Sequence, residues 1–94
     1  MQFTWDERKN RANQRKHGIS VETATLVFDD PYQISTQERE VEGELRWQTI
    51  GMVKGIQMLL VAHTVSESGD EELIRIISAR KATPQERSIY AQQN

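Results

Sequence analysis

The sequence predicts a small α+β domain, and three features of its 94 residues support that fold class. Strand-like segments fill most of the second half, short turns separate them, and segments with helix-capping residues lie towards both ends. Short connections favour antiparallel neighbours. We therefore expect a small twisted antiparallel sheet of about four strands, with two N-terminal helices and one C-terminal helix that cover one face.

The N-terminal segment predicts a short strand and a polar helix. Residues 3–5 (Phe-Thr-Trp) alternate between apolar and polar side chains. Asp6 is suited to cap a helix over residues 7–16, because its carboxylate can accept hydrogen bonds from free backbone N–H groups. Gly18 ends this helix, since glycine adopts the left-handed conformation without strain.

After Gly18 the apolar spacing changes from helical to alternating. A second helix begins after the cap Ser20 and ends before Pro31, because a residue that precedes proline disfavours helical angles. Residues 37–44 form a charged loop or hairpin, and Lys54-Gly55 is a tight hairpin turn. The predicted strands cover 32–36, 46–53, 56–65 and 73–79.

The last helix has three independent start signals. Thr83 is the expected N-cap, Pro84 occupies the first helical position, and Glu86 completes a capping box with Thr83. The helix covers about residues 84–92. The complete order is β-α-α-β-β-β-β-α, and since no repeat or linker divides residues 1–94, we expect one domain.

The net charge of −2 argues against a simple binder of polyanions, but the charge is unevenly distributed. Residues 1–17 carry five Lys/Arg against two Asp/Glu, whereas residues 18–46 carry two against seven. Residues 47–94 are balanced, with five of each. Such a chain can present one basic and one acidic face, which leaves RNA, DNA and a basic protein partner open.

Several function classes are excluded by what the sequence lacks. It contains no cysteine, so it forms no disulfide, thiolate metal site or cysteine nucleophile. Its longest apolar run, residues 58–62, is far shorter than the roughly 20 residues that span a bilayer. Residues 1–6 lack the basic and apolar regions of a secretory signal, so we expect a cytoplasmic protein with no membrane partner.

The sequence also carries no recognisable metal or cofactor motif. The two histidines, His17 and His63, lie 46 residues apart, and neither has a partner at ligand spacing. The glycine-rich phosphate loops of nucleotide-binding proteins and the nucleophile elbow of hydrolases are missing. We therefore expect no bound metal and no cofactor.

The predicted strand near residue 75 contains arginines, which is unusual for so apolar a segment. Strict alternation puts Ser78 and Arg80 on one face, and Arg75 and Lys81 on the other. Guanidinium groups bind phosphate through paired hydrogen bonds, so the strand suits an RNA backbone or a phosphate under attack. In the structural alternative, Arg80 and Lys81 flank the strand end, and Arg75 pairs with Glu44, Glu71 or Glu72.

Other polar residues offer proton transfer or charge. His63, near the end of the most apolar strand, is a candidate acid or base, because imidazole exchanges protons near neutral pH. In the alternative it is half-buried and its ring nitrogen binds the backbone. Tyr90 offers a phenol on the last helix, or packs there. The basic first helix, which includes Arg15 and Lys16, is either a solvated face or a surface that steers nucleic acid.

Several segments match a known pattern when they are taken together. In the N-terminal half they are Trp5-Asp6, Lys9, Asn13, residues 16–20 (Lys-His-Gly-Ile-Ser), Ala24 and residues 27–31. In the C-terminal half they are Arg46, residues 49–51, Leu60-Val61, His63-Thr64, residues 75–83 (Arg-Ile-Ile-Ser-Ala-Arg-Lys-Ala-Thr), Glu86-Arg87 and Tyr90. Over about residues 3–90 the chain thus resembles the BrnT family, the toxins of a type II toxin–antitoxin pair.

The resemblance implies a fold similar to the RelE-type toxins and a metal-independent endoribonuclease that halts translation by cutting RNA. It also implies a cognate antitoxin, BrnA, whose DNA-binding portion represses the shared operon, so that operator DNA is reached only through the antitoxin. An alternative is a catalytically inactive toxin-like module that pairs with its antitoxin and modulates operon DNA binding. A further alternative is a structural domain whose arginines form ion pairs.

The implied reaction is in-line attack by the ribose 2′-hydroxyl on the adjacent phosphate, which needs a base, an acid and positive charge. Arg80 and Arg75 are the expected charges, although they lie on opposite strand faces unless a bulge separates them. His63 is the expected acid or base. The remaining expected catalytic residues are Lys81, Glu86 and Tyr90, and the expected RNA-binding residues are Arg15, Lys16, His17 and Ser78.

Overall fold

The computed structural model describes residues 1–93 and leaves Asn94, the last residue of the predicted domain, outside the described residues. Within that range the chain has the predicted α+β fold. The elements are β1 (Gln2–Trp5), α1 (Glu7–His17), α2 (Val21–Thr25), β2 (Ile34–Val41), β3 (Glu44–Val53), β4 (Gln57–Ser68), β5 (Glu71–Lys81) and α3 (Pro84–Gln92), with a 3-10 turn (Leu26–Asp29) after α2. None of the helices in residues 1–93 is long and apolar enough to cross a membrane.

The strands of residues 1–93 form one five-stranded sheet in the order β1-β5-β4-β3-β2, against the expected number of about four. Strands β2 to β5 are joined as successive antiparallel hairpins. Strand β1, however, pairs with β5 in parallel, from Gln2 opposite Leu73 to Trp5 opposite Ile76. The expectation of a wholly antiparallel sheet is therefore wrong at this edge. Short turns favour antiparallel pairing, but helices rather than a short turn connect β1 to the next strand.

The turns between the antiparallel strands follow the predicted chemistry. Lys54 and Gly55, with φ of 54° and 67°, form the tight turn between β3 and β4. The charged segment before β3 is a hairpin rather than a loop, since β2 runs to Val41 and the turn falls at Glu42 and Gly43. Both turns use the left-handed backbone region, which matches the twist of the flanking strands.

The predicted helix ends are confirmed. The Asp6 carboxylate accepts hydrogen bonds from two backbone N–H groups in the first turn of α1, and Gly18 ends α1 in the left-handed conformation. Thr83 and Glu86 form the reciprocal capping box at the start of α3. Each cap satisfies backbone groups that a helix leaves unpaired, and a cap of this kind contributes about 1 kcal/mol.

The main core lies where α1, α2 and the 3-10 turn cover one face of the sheet. Its buried residues are Ile19, Val21, Ala24, Val27, Val53, Leu59, Val61, Ile74, Ile76 and Ala79. Gly51 allows the 3-10 turn to approach β3 closely, since a Cβ at that position would lie 2.7 Å from Val27 Cγ1. Because this packing covers one face of the sheet, the opposite face of each strand is the one available for other contacts.

The opposite face, which we call the open face, is covered by α3 at one end. There a smaller cluster of Ile50, Met58 and Leu60 packs against Met52, Ala82 and Tyr90. The helices therefore lie on both faces, and the prediction that they cover one face is wrong. Periodicity shows that a helix has an apolar side, but not which side of a sheet it meets. Beyond α3 the open face remains accessible.

Candidate functional site

A bulge in β5 brings two of the predicted arginines onto one face. The pairing of β5 with β4 skips Ile77. Ile76 before the bulge and Ala79 after it both face the main core, although strict alternation would separate them. Arg75 and Arg80 consequently both project from the open face. The bulge that the sequence argument required is thus present, and bulges are common beside active sites.

A bulge in β2 turns another arginine towards the same face. The pairing of β2 with β3 skips Glu38, so Arg39 lies directly opposite Arg46. Without this bulge, alternation would direct Arg39 to the helix-covered face. Neither Arg39 nor Arg46 was predicted as a site residue. The face of Arg39 was not predictable, because a bulge in a polar strand leaves no apolar pattern to interrupt.

These strands and the end of α1 enclose a groove of about 390 Å³ on the open face. The basic side chains that line it are Lys16, His17, Arg39, Arg46 and Arg80, with Glu38 at its margin. Gln48, Ala62 and Ser78 lie between them. A concave surface on which basic side chains converge from several elements focuses a positive potential, and it is suited to a polyanion.

Asn13 fixes α1 against the sheet beside this groove. Strand β1 ends opposite Ile76, so within residues 1–93 the edge of β5 beyond that point has no strand partner. The Asn13 side chain takes that place. Its Nδ2 donates to the carbonyl of Ala79 at 2.9 Å and to that of Ile19 at 2.9 Å, and its Oδ1 accepts from the Ala79 N–H at 3.2 Å. Because Asn13 is 7% exposed, these bonds are shielded from water.

Asn13 therefore positions the last turn of α1, with Lys16 and His17, next to β5. No structural role was predicted for Asn13, although two asparagines three residues apart in a helix with so few apolar residues were a usable signal. The other, Asn10, is also buried and accepts a hydrogen bond from the Val21 N–H at 2.9 Å. Buried amides thus replace apolar packing on this face of α1.

Arg80 is held in place by Glu86. Two parallel hydrogen bonds join them, from Nη1 to Oε1 at 2.8 Å and from Nη2 to Oε2 at 2.9 Å. Glu86 also accepts from the Thr83 N–H as part of the capping box. The bonds with Glu86 raise the pKa of Arg80 and lower the pKa of the Glu86 carboxyl. The two bonds fix the direction of the guanidinium. Because the Arg80 side chain is 36% exposed, its charge still reaches the groove.

Arg75 lies at the end of the open face that is farther from α3. Its guanidinium forms a close ion pair with Glu44, which is one of the alternatives that the sequence left open. Arg46 Nε lies 3.9 Å from the same Glu44 oxygen. Arg75 is therefore neutralised locally, and it does not line the groove with Arg80.

His63 is on the helix-covered face and is separated by the sheet from Arg80. It is 2% exposed, and its Nε2 lies 2.7 Å from Thr49 Oγ1, which is itself 2.7 Å from Ser35 Oγ. Its ring packs edge-on against Phe28 at 5.0 Å. Burial lowers the pKa of His63, since the imidazolium is poorly solvated there. The structure thus does not place His63 where it can act together with Arg80.

Tyr90 attaches α3 to the sheet. Its hydroxyl donates to Asp30 Oδ2 at 2.6 Å, and the same carboxylate accepts from the N–H groups of Met52 and Tyr32 at 2.7 and 2.9 Å. Burial and the bond to Asp30 raise the pKa of Tyr90 to about 12. A phenol held this way stays protonated at neutral pH, and its contacts are those of a structural anchor.

The structure thus brings together part of the predicted site. Arg80, Ser78, Lys16 and His17 line the groove, and Glu86 supports it by binding Arg80. Lys81 is exposed near the β3–β4 turn, and Arg15 is exposed on α1 outside the groove lining. Within residues 1–93, no three histidine, aspartate or glutamate side chains are grouped so as to hold a metal ion.

The lowered pKa of His63 predicts that the folded chain is less stable in acid. Its pKa in the folded chain lies below the ordinary value of 6.5, so the unfolded chain binds the proton more readily. The stability from neutral His63 is therefore complete above about pH 6.5 and is lost as the pH falls towards the lower folded value. We expect the urea midpoint to decrease between pH 7.5 and 5.5. His63→Gln, which cannot titrate, should flatten that decrease, and a wild-type midpoint that does not change over this range would contradict the assignment.

A small α+β protein with a basic groove on its sheet has the features of a nucleic-acid-binding protein. Comparison with known families defines the class further. The model of the family described as the ribonuclease toxin BrnT of type II toxin–antitoxin systems matches residues 5–86. The chain therefore belongs to the BrnT family. It is a ribonuclease toxin and has a protein antitoxin as its partner, as the sequence resemblance predicts.

The fold is shared with a solved member of that family. The 1.1 Å crystal structure of the Brucella abortus ribonuclease toxin BrnT is similar over 88% of this chain and 97% of that chain, with 24% identity and a TM-score of 0.61. At this identity the likeness establishes the common fold. A comparison with curated proteins finds no match.

Proposed function

We propose that the chain cleaves RNA in the open-face groove, with Arg80 binding the phosphate at which the chain is cut. The observation that carries this proposal is the bidentate pair between Arg80 and Glu86, which directs a partly exposed guanidinium into a basic groove. A charge that is already oriented stabilises a developing phosphorane without reorganising.

The proposed reaction is attack of a ribose 2′-hydroxyl on the neighbouring phosphorus. The bond from O2′ to phosphorus forms and the bond from phosphorus to O5′ breaks, which leaves a 2′,3′-cyclic phosphate and a 5′-hydroxyl. A base removes the 2′ proton and an acid supplies one to O5′. His17 is the imidazole that lines the groove with Arg80, so we assign it proton transfer in place of His63.

Lys16 and Ser78 complete the site in this proposal. Lys16 follows the RNA backbone from the end of α1, and the Ser78 hydroxyl offers a hydrogen bond next to the bulge in β5. Cutting RNA in this way in the cytoplasm halts translation. A BrnA-type antitoxin neutralises the toxin, and operator DNA is bound through that antitoxin only.

The proposal is tested by expressing the chain alone in a bacterial host. We expect growth arrest, relief of arrest when the adjacent antitoxin gene is co-expressed, and new RNA ends in the same cultures. Purified protein should cut RNA equally well with and without EDTA, and should leave cyclic phosphate and 5′-hydroxyl ends. Loss of cleavage in EDTA would contradict the proposed chemistry.

The same ion pair also offsets the charge of Arg80, and this feature favours a second function. Both terminal nitrogens of Arg80 already bind a carboxylate, as they would in a module that only pairs with its antitoxin. A folded chain that binds the antitoxin but neither arrests growth nor cuts RNA would support this alternative and overturn the first.

A further inference from the structure

Arg39 and Arg46 form an unusual pair on the open face. They lie directly opposite each other on adjacent antiparallel strands. Like charges in this arrangement repel and destabilise the strand pair. The bulge at Glu38 is what brings Arg39 into this position. The repulsion between the two arginines therefore destabilises the fold locally, at a point where both side chains line the groove.

The carboxylates nearby do not neutralise this pair fully. Arg46 Nε is buried without a hydrogen-bond partner among residues 1–93 and lies 3.9 Å from Glu44, which binds Arg75 more closely. Arg39 is 70% exposed and lies 3.6 Å from Glu38. A buried guanidinium nitrogen without a partner is costly. The Arg46 side chain as a whole is 24% exposed, so its charge is available to an anion placed between the two arginines.

The pair and Arg80 project from backbone positions that lie well apart along the sheet. On β3, Ile50 shares a cross-strand row with Leu60 and Arg80, and Arg46 is four residues away from Ile50. Four residues of strand span about 13 Å. The row between them holds Gln48, Ala62 and Ser78, which are neutral. An extended RNA strand that places one phosphate at Arg80 therefore meets Arg39 and Arg46 at a different phosphate.

We propose that Arg39 and Arg46 form a second phosphate subsite, which binds the RNA backbone away from the bond that is cut. This inference rests on the proposed function, since it assumes that RNA occupies the groove. The two arginines are positioning residues: they hold a substrate that is long enough to reach them and contribute little to the chemical step at Arg80.

The test compares substrates of two lengths. The double variant Arg39→Gln/Arg46→Gln is matched by Arg11→Gln/Arg87→Gln, which removes two exposed arginine charges, one on α1 and one on α3, outside the groove lining. For an octanucleotide we expect the double variant to raise KM about 10- to 100-fold with kcat nearly unchanged, since the loss of charged contacts to one exposed phosphate is of that order. Cleavage of a dinucleotide, which has one phosphate, should be unaffected. The control should behave as wild type.

Binding is measured separately, with an octanucleotide that carries 2′-deoxyribose throughout and cannot be cut. The double variant should bind more weakly and lose about one unit of salt dependence in a plot of log Kd against log salt. Arg39→Gln alone serves if the double variant does not fold, because Arg39 is largely exposed. Equal KM for the octanucleotide in wild type and variant, or an equal loss on both substrates, would overturn the subsite. A wild type that binds through these arginines and cuts nothing would refute the proposed function alone.

Discussion

Arg80→Ala is expected to lower the rate of RNA cleavage about 100- to 1,000-fold, the range found when one preorganised donor is removed from a site that stabilises developing charge. Arg80 is the groove cation whose guanidinium is fixed by two hydrogen bonds to a carboxylate. Among residues 1–93 the Lys16 side chain has no hydrogen bond of that kind, and water would replace the missing guanidinium poorly. The loss should appear in single-turnover rates, where product release plays no part.

Two variants show whether the effect belongs to the site. Arg87→Ala removes the same charge from an exposed position on α3 outside the groove, and it should cleave RNA as wild type does. Glu86→Gln keeps the size of the side chain but weakens its hold on Arg80, so an intermediate loss is expected. Antitoxin binding should survive in Arg80→Ala. Cleavage within threefold of the wild-type rate would show that Arg80 does not contact the reacting phosphate.

Asn13→Ala is expected to cost about 3 kcal/mol or more in the free energy of unfolding, because it leaves three buried backbone groups without partners. They are the Ala79 N–H, the Ala79 carbonyl and the Ile19 carbonyl. A small domain is stable by only about 5–15 kcal/mol, so this loss is large. The same change releases the end of α1 from β5, and cleavage should decrease as Lys16 and His17 lose their position.

Urea unfolding followed by circular dichroism measures the stability change. Arg11→Ala is the control, since it alters an exposed residue of the same helix and should change the free energy of unfolding by less than about 0.5 kcal/mol. Asn13→Asp should also destabilise the chain, because a carboxylate cannot donate to the two carbonyls. An Asn13→Ala protein as stable as Arg11→Ala would mean that the three bonds contribute nothing.

Local chemistry made much of the fold predictable. The caps at Asp6 and Thr83 and the turn at Lys54-Gly55 depend on residues adjacent in sequence, and all three are confirmed. The parallel pairing of β1 with β5 was not predictable in this way, because it joins residues about 71 positions apart and no local pattern records it. The position of α3 on the open face was not predictable for the same reason, because no local pattern records it.

The candidate site was predictable where the residue type alone indicates the chemistry. Arg80, in an apolar strand, was such a signal. Arg39 was not predictable as a site residue, because its place on the open face depends on a bulge that alternation cannot reveal. His63 was a reasonable candidate by its chemistry, but the strand pairing that buries it against Phe28 is a tertiary property.

The central claim is that RNA lies on the open face, across β3, β4 and β5. The most direct measurement is the change in backbone amide NMR shifts when an octanucleotide with 2′-deoxyribose is added to the isotope-labelled chain. The groove residues Gln48, Ala62 and Ser78 should shift most, while Val27 and His63 on the helix-covered face should shift little. Shifts concentrated around His63 and Phe28, with Ser78 unchanged, would place the RNA on the other face and contradict the claim.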